Sequence, residues 1–288
     1  MNIFTLLQTK TDFTPNEKIL ADFILKHPQD FIRMTTQEIS QKCFVSVTSI
    51  YRLASKCGAS GLSDLKVLLS SSLPGYQEEK EDFDFDFPIK KHQTHHQIIE
   101  TLKEDYEQTV LNTSHLFDLD TLQNVVQLMD QAKQIDIYTS AGNIFFAQNF
   151  RFQMLEIGKQ VNVPTEEYHQ RLTAASSDDS HLAIVISFSG RGLLAQRIPR
   201  ILHHNHVPTI LISSTDYHPD IHYFDYQLFM SSRENHSKKI SSYSTRLSLL
   251  YILDVLYTAY FERHYEEHIQ NKTEYYERMV KGESDNDN

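Results

Sequence analysis

Three short apolar runs set what this chain can fold into. Gln134–Thr139 (QIDIYT), Leu182–Ser187 (LAIVIS) and Pro208–Ser213 (PTILIS) are rich in aliphatic and β-branched residues and too short to be helices. The first two run into small-residue turns, Thr139-Ser140-Ala141-Gly142-Asn143 and Ser187-Phe188-Ser189-Gly190-Arg191-Gly192. Helical patterns follow them, from about Ile144 to Gly158 and on to about His204. A short strand at Gln160–Val163, a weaker one near Tyr226–Phe229 and a long helix from about Ser241 to Glu267 complete the series. Buried strands alternating with helices predict an α/β domain, a parallel sheet with helices on both faces. Such sheets bind ligands at the carboxyl ends of their strands, where the strand order reverses.

The chain before this domain has a different pattern, that of an all-α head with a helix-turn-helix at 35–57. Thr35-Thr36-Gln37-Glu38 fits a capping box, with Thr35 as N-cap and Glu38 reaching back. Ile39 and Cys43 then point inward. After a short turn Ser46 caps a second helix, in which Ile50, Leu53, Ala54 and Cys57 share one face. The outward set is Ser46, Thr48, Ser49, Tyr51, Arg52, Ser55 and Lys56. Hydroxyls with a cation on one helix face suit a DNA major groove; on spacing alone, a helical hairpin with a solvated face fits as well. Gly58 stops the helix, Ser63 caps a further one, and Leu73-Pro74-Gly75 ends it.

Charge sharpens the contrast between the two parts. The 288-residue chain carries a net charge of −11, which argues against general affinity for nucleic acid. Residues 1–75, however, hold eight Lys/Arg and six Asp/Glu, about +2, so the other 213 residues carry −13. A near-neutral to basic head on an acidic body suits a head that meets phosphates. Cys43 and Cys57 lie on apolar helix faces and read as buried free thiols. No run approaches the roughly 20 apolar residues of a membrane span, and MNIFTLLQTK lacks a signal-peptide pattern; the expected location is cytoplasmic. The expected domains are a head at 1–75, a linker at 76–97 in which Phe83, Phe85 and Phe87 dock or pair with a partner chain, a second domain at 98–267, and a polar tail at 268–288. That second domain opens with helices at Ile98–Leu116 and Leu119–Ala132.

The residues FTPNEKILADFILKHPQDFIRMTTQEIS at 13–40 and VSVTSIYRLASKCGASGLSDLKVLL at 45–69 resemble the head of the RpiR family of bacterial transcription regulators. One position departs from that pattern: Phe44 stands where the family usually has Gly in the turn, and Phe tolerates a positive φ poorly. The resemblance implies that the second domain is a SIS domain, a phosphosugar-binding α/β fold. It also implies a regulator of carbohydrate metabolism, bound to double-stranded operator DNA as a homodimer or homotetramer and controlled by a sugar phosphate.

The implied effector ligands are Ser140, Asn143, Ser187, Ser189, Arg191 and Glu234. A strand ending in a small, hydroxyl-rich turn that opens a helix presents N–H groups to a phosphate. The first turn departs from the family's G-x-G-x-S, with Thr139 and Ala141 at the glycine positions and Asn143 at the serine. The second keeps S-x-S-G, with Gly192 in place of Thr. Arg191 reads as a phosphate partner or as a solvated helix-start residue. The histidine groups His92, His95, His96 and His203, His204, His206 lack accompanying Cys or a carboxylate pattern, so no metal is expected, and no cofactor. Tyr251, Tyr257, Tyr260 and Phe261 suit core or a subunit interface better than a ligand site. Three rivals remain: a phosphosugar isomerase on the same fold with Glu234 or His236 as base, a regulator whose second domain only oligomerises, and a scaffold that binds no DNA.

Overall fold

The structure is a computed structural model describing residues 3–9, 12–77, 83–190, 192–217, 219–231, 233–235 and 237–284. The chain divides into two compact units, 1–118 with 231–241, and 119–230 with 242–288.

The first unit is all-helical: α1 (Ile3–Thr9), α2 (Pro15–Lys26), α3 (Pro28–Arg33), α4 (Thr36–Cys43), α5 (Val47–Lys56), α6 (Leu62–Gln77) and α7 (His95–His115). Local chemistry fixes several starts. Thr14 and Glu17 form a capping box on α2, Thr35 and Glu38 on α4, Thr94 and Gln97 on α7, and Ser46 caps α5. The helices close over Leu20, Ile24, Phe31, Ile39, Ile50, Leu53, Leu65 and Leu69, all fully buried. Each such side chain contributes roughly 1.5–3 kcal/mol. Cys43 and Cys57 are buried free thiols, as their positions on the apolar faces predict.

Three expectations need correcting here. Helix α6 starts at Leu62, one residue before Ser63, because the Ser60 N–H and hydroxyl both donate to Asp64 Oδ2 (2.8 and 3.0 Å). It also runs past Pro74 to Gln77; a proline removes one N–H, and here the helix ends about one turn later. Helix α7 groups with the first unit, not with the sheet. The segment at 76–97 is anchored where it is described. Phe85 is buried, Phe83 meets its ring edge-on at 4.9 Å, and the Asp86 carbonyl accepts from Ile240 N–H (3.0 Å). Phe87 stays half exposed.

The second unit holds α8 (Leu119–Gln131), β1 (Gln134–Tyr138), α9 (Asn143–Glu156), β2 (Val161–Asn162), α10 (Glu167–Ser176), β3 (His181–Ile186), α11 (Leu193–His204), β4 (Thr209–Ser214), β5 (Tyr226–Met230), α12 (Tyr243–Arg263) and α13 (Tyr265–Ser284). The strands form one parallel sheet in the order β2-β1-β3-β4-β5. The central strands β1, β3 and β4 are buried almost throughout, as strands covered on both faces must be. Alternate residues serve opposite faces. Tyr138, Ala183, Val185 and Leu211 pack with Ala174 of α10 and Ile198 and Leu202 of α11. Helices α8 and α9 both pack against α12 elsewhere in the unit. The tail expected from 268 is instead helical to Ser284, because α13 packs on α9 and α12.

One charged side chain lies inside the sheet. Asp136 of β1, 1% exposed, accepts from Gln134 Nε2 and Asn162 Nδ2 (both 2.9 Å) and faces His181 Nδ1 at 2.7 Å. Ser177 Oγ donates to it at 3.4 Å. A buried carboxylate needs such partners.

Candidate functional site

The helix-turn-helix is held by its backbone. Helix α4 ends at Phe44, which takes the left-handed conformation (φ 53°, ψ 39°) that a glycine would take freely. The turn keeps its shape because Ser40 clamps Val45 twice, through Val45 N–H to Ser40 O (3.1 Å) and Ser40 Oγ to Val45 O (2.6 Å). The Phe44 side chain is 94% exposed. Ser46 then accepts from Ser49 N–H at 3.2 Å and starts α5.

Helix α5 exposes Thr48, Tyr51, Arg52 and Ser55, with Ser46 at its edge. Two residues of the expected outward set do not belong to it. Ser49 is buried, its hydroxyl 2.9 Å from that of Ser46, so it completes the cap. Lys56 turns inward. Its Nζ donates to Glu17 Oε2 (2.9 Å) and to Asp12 O (2.6 Å) and lies 5.9 Å from the Phe13 ring centroid. Glu17 is only 1% exposed. Burial pushes its carboxyl pKa up, but the bonds from Lys56 and Thr14 outweigh burial and hold it below the ordinary value.

In the second unit the turns after β1 and β3 lie side by side. The two strands pair in parallel with Tyr138 opposite Val185, so both reach the same edge together. Thr139 Oγ1 then donates to Ile186 O (3.1 Å), and Gln170 Nε2 of α10 donates to Thr139 O (2.7 Å). The chain passes from β1 to β2 on one side and returns to β3 on the other. The strand order therefore reverses between these two turns, where open α/β sheets take their ligands.

The first turn exposes Ser140 and places Ala141 at φ 52°; Asn143 opens α9, half-buried. In the second, Ser187 Oγ accepts from Gly190 N–H (3.2 Å), so this hydroxyl shapes the turn, while Ser189 is half-buried. The helices opening at the turns, α9 and α11, have glycine N-caps without a side-chain cap. Both helices start at the same edge of the sheet, with the Ile144, Phe145 and Ala195 N–H groups donating to carbonyls of their own turns (3.2, 3.3 and 3.1 Å). Gly190 has φ 65°, and a Cβ there would lie 2.0 Å from the ring of Tyr217. Burial pushes the Tyr217 phenol pKa up.

Arg191 and His236 lie outside the described residues. Glu234 belongs to the first unit, and its buried carboxylate is paired with Lys239 Nζ at 2.8 Å. Gln170, Tyr217 and Lys239 were not singled out by the sequence. Thr139 stood out there only as a residue replacing a glycine. His203 packs edge-on to Tyr223, and among the described residues no three potential metal ligands converge. Among the same residues no helix is long and apolar enough to cross a membrane.

Residues 1–75 match the helix-turn-helix domain of the rpiR family, and residues 128–259 match the SIS domain. The HTH-type transcriptional regulator YbbH of Bacillus subtilis is 26% identical over 259 residues, 89% of each chain. An HTH-type transcriptional regulator of Haemophilus influenzae is 24% identical over 85% of this chain and 84% of its own. Among solved structures, the Vibrio vulnificus NanR protein complexed with ManNAc-6P superposes with a TM-score of 0.59 at 18% identity, covering 97% of this chain and 98% of that one. The sugar isomerase domain of an RpiR transcription factor from Sphaerobacter thermophilus gives 0.52 at 17% identity, over 64% of this chain and 98% of its own. A helix-turn-helix head joined to a SIS domain defines a DNA-binding transcription regulator. The chain has the two domains of an RpiR-type regulator, the rpiR-family helix-turn-helix at 1–75 and the SIS domain at 128–259.

Proposed function

We propose that this regulator binds operator DNA through α5 and is controlled by a sugar phosphate held at the paired turns after β1 and β3. The observation that carries the reading is the position of those turns. They flank the strand-order reversal and bring Ser140, Asn143, Ser189 and two helix N-termini to one edge of the sheet. The phosphate is held by the backbone N–H groups of both turns and by these side chains, with Ser187 keeping the second turn in shape. The NanR structure holds ManNAc-6P on the same fold, which supports the ligand class. The chain works in the cytoplasm as a homodimer or homotetramer, placing heads on the two halves of a palindromic site. Effector binding changes DNA affinity through linkage.

The chain acts as a regulator and not as an isomerase. Its curated relatives are named transcriptional regulators, and Glu234, one of the two candidate bases for aldose–ketose chemistry, is ion-paired with Lys239. Turnover of any phosphosugar well above background overturns this half of the reading.

Calorimetric titration with a panel of phosphosugars, ManNAc-6P included, tests the other half. One of them binds, shifts operator affinity in a gel assay, and binds at least tenfold more weakly to the Ser140→Ala, Ser189→Ala double variant, since hydrogen bonds to a charged group contribute about 1.5–3 kcal/mol each. Operator binding that no phosphosugar alters leaves the SIS domain with oligomerisation alone. On the DNA side, Arg52→Ala weakens operator binding by about 1–3 kcal/mol if its guanidinium meets a guanine. Unchanged binding moves the recognition surface off α5.

A further inference from the structure

Two apolar side chains flank the cap of α5 and face solvent. Phe44 is 94% exposed and Val47 41% exposed, on either side of Ser46. Phe44 has a left-handed backbone (φ 53°) that L side chains adopt at a cost, and its ring recovers none of that cost in the core. An observed backbone outlier of this kind points from strain to use. The direction of the ring is set by a fixed turn, because Val45 is buried and clamped to Ser40 by two hydrogen bonds.

We infer that Phe44 and Val47 form an apolar edge that packs on the C5-methyl of a thymine in the major groove, fixing thymine at one position in each half-site. The inference rests on α5 being the DNA-reading helix. The amino-terminal residues of such helices meet base edges, and Phe44 and Val47 adjoin the exposed Thr48, Tyr51 and Arg52 of the same surface. Among groups on the major-groove edge, the thymine methyl is the one apolar feature. The residues beside this edge, Gln41, Lys42, Ser46 and Thr48, are polar and exposed. That setting suits contact with a base framed by phosphates, and it lacks the broad apolar patch of a protein interface.

The test uses the full chain and a duplex that it enriches from a random 30-base-pair library, about the length that two half-sites one helical turn apart require with flanks. Each thymine of that duplex is replaced in turn by deoxyuridine, which removes only the methyl. Affinity falls about fourfold at one thymine per half-site, or about 15-fold when both are replaced, the effect of one buried methyl group at each. In the Phe44→Gly, Val47→Ala variant the same replacements have no effect. Glycine suits the backbone at 44, and alanine keeps the helix start, so the variant folds. Arg52→Ala serves as the second arm, weakening binding while keeping the methyl sensitivity.

If the wild-type chain enriches no sequence, the DNA-reading role of α5 falls and this inference falls with it. If it enriches a site in which every thymine tolerates deoxyuridine, or if the double variant keeps the methyl sensitivity, the inference alone is overturned. It is also overturned if the double variant changes only the sedimentation of the chain, which would make Phe44 a contact between copies.

Discussion

Replacing Lys56 with Met separates a structural lysine from a DNA-binding one. The ammonium is the ionic partner of Glu17, whose side chain is 2% exposed, and it bonds Asp12 O as well. Met keeps the aliphatic stem and removes the charge. Breaking a buried pair by deleting one partner costs about 3–5 kcal/mol. Two features reduce that here. The Lys56 side chain is 30% exposed, and Glu17 keeps the bond from Thr14 N–H at 2.8 Å. The expected loss is therefore about 2–3 kcal/mol. Hydrogen exchange of the α2 and α5 amides reads it within the full chain, as exchange roughly 30- to 150-fold faster. The loss also depends on pH. Because the Glu17 carboxyl is held below its ordinary value, its stabilising contribution is fully present above the unfolded-state pKa, about 4.3, and disappears as pH falls through the folded value. Wild type and Glu17→Gln therefore converge in protection as the pH falls through that lowered value. Unchanged protection in Lys56→Met, together with weakened operator binding, would refute the structural assignment and return Lys56 to the DNA surface.

Three further outcomes follow from the same structure. Gly190→Ala meets both a positive φ and the Tyr217 ring, so it displaces the ring and weakens phosphosugar binding in calorimetry; wild-type affinity would mean that the turn is not part of the site. Phe44→Gly removes a left-handed backbone cost of about 1–2 kcal/mol but adds about 0.4–1 kcal/mol of unfolded-chain entropy. The α4 and α5 amides then exchange about two- to fivefold more slowly, and faster exchange would show that the exposed ring contributes to folding. Asp136→Ala leaves Asn162, Gln134 and His181 without their shared acceptor and lowers stability by about 3 kcal/mol or more, seen as an earlier thermal transition by circular dichroism. A transition within 1 °C of wild type argues against that network.

Features that depend on local pattern were legible in the sequence. The strands at 134–138, 181–186 and 209–214 stand where apolar runs between turns place them, and Thr35 with Glu38 forms the capping box its spacing predicts. Phe44, recognised as a departure at a glycine position, does take the positive φ that position demands. Features that depend on reach were not legible. Helical periodicity assigns the Lys56 Cα to the polar face, but four methylenes carry the ammonium back to a carboxylate 39 residues earlier. Ser49 has a hydroxyl like its exposed neighbours, and only the Ser46 cap geometry shows that it is occupied. Helix α10 and the tail are polar segments whose helical form rests on tertiary packing, which a single-residue pattern records weakly. Within the proposed effector site the residue types were visible, whereas the tie from Thr139 to Ile186 and the ring of Tyr217 over Gly190 needed coordinates.

Helix α13 bears on where this protein can be cut. The SIS match ends at residue 259, yet α13 runs on to Ser284 and forms one wall of a groove whose other wall is the end of α9. Asn271 Nδ2 donates to Ile157 O, Lys272 pairs with Glu156, and the Tyr275 hydroxyl lies where a side chain at Gly158 would stand. A fragment trimmed to the domain match would uncover Phe152 and Leu155, already half exposed, together with the end of α9. It would therefore aggregate for a reason unrelated to ligand or DNA. A fragment of this unit therefore retains the last helix through Ser284, and one that begins at Leu119 strips the 231–241 segment of its bonds to Asp86.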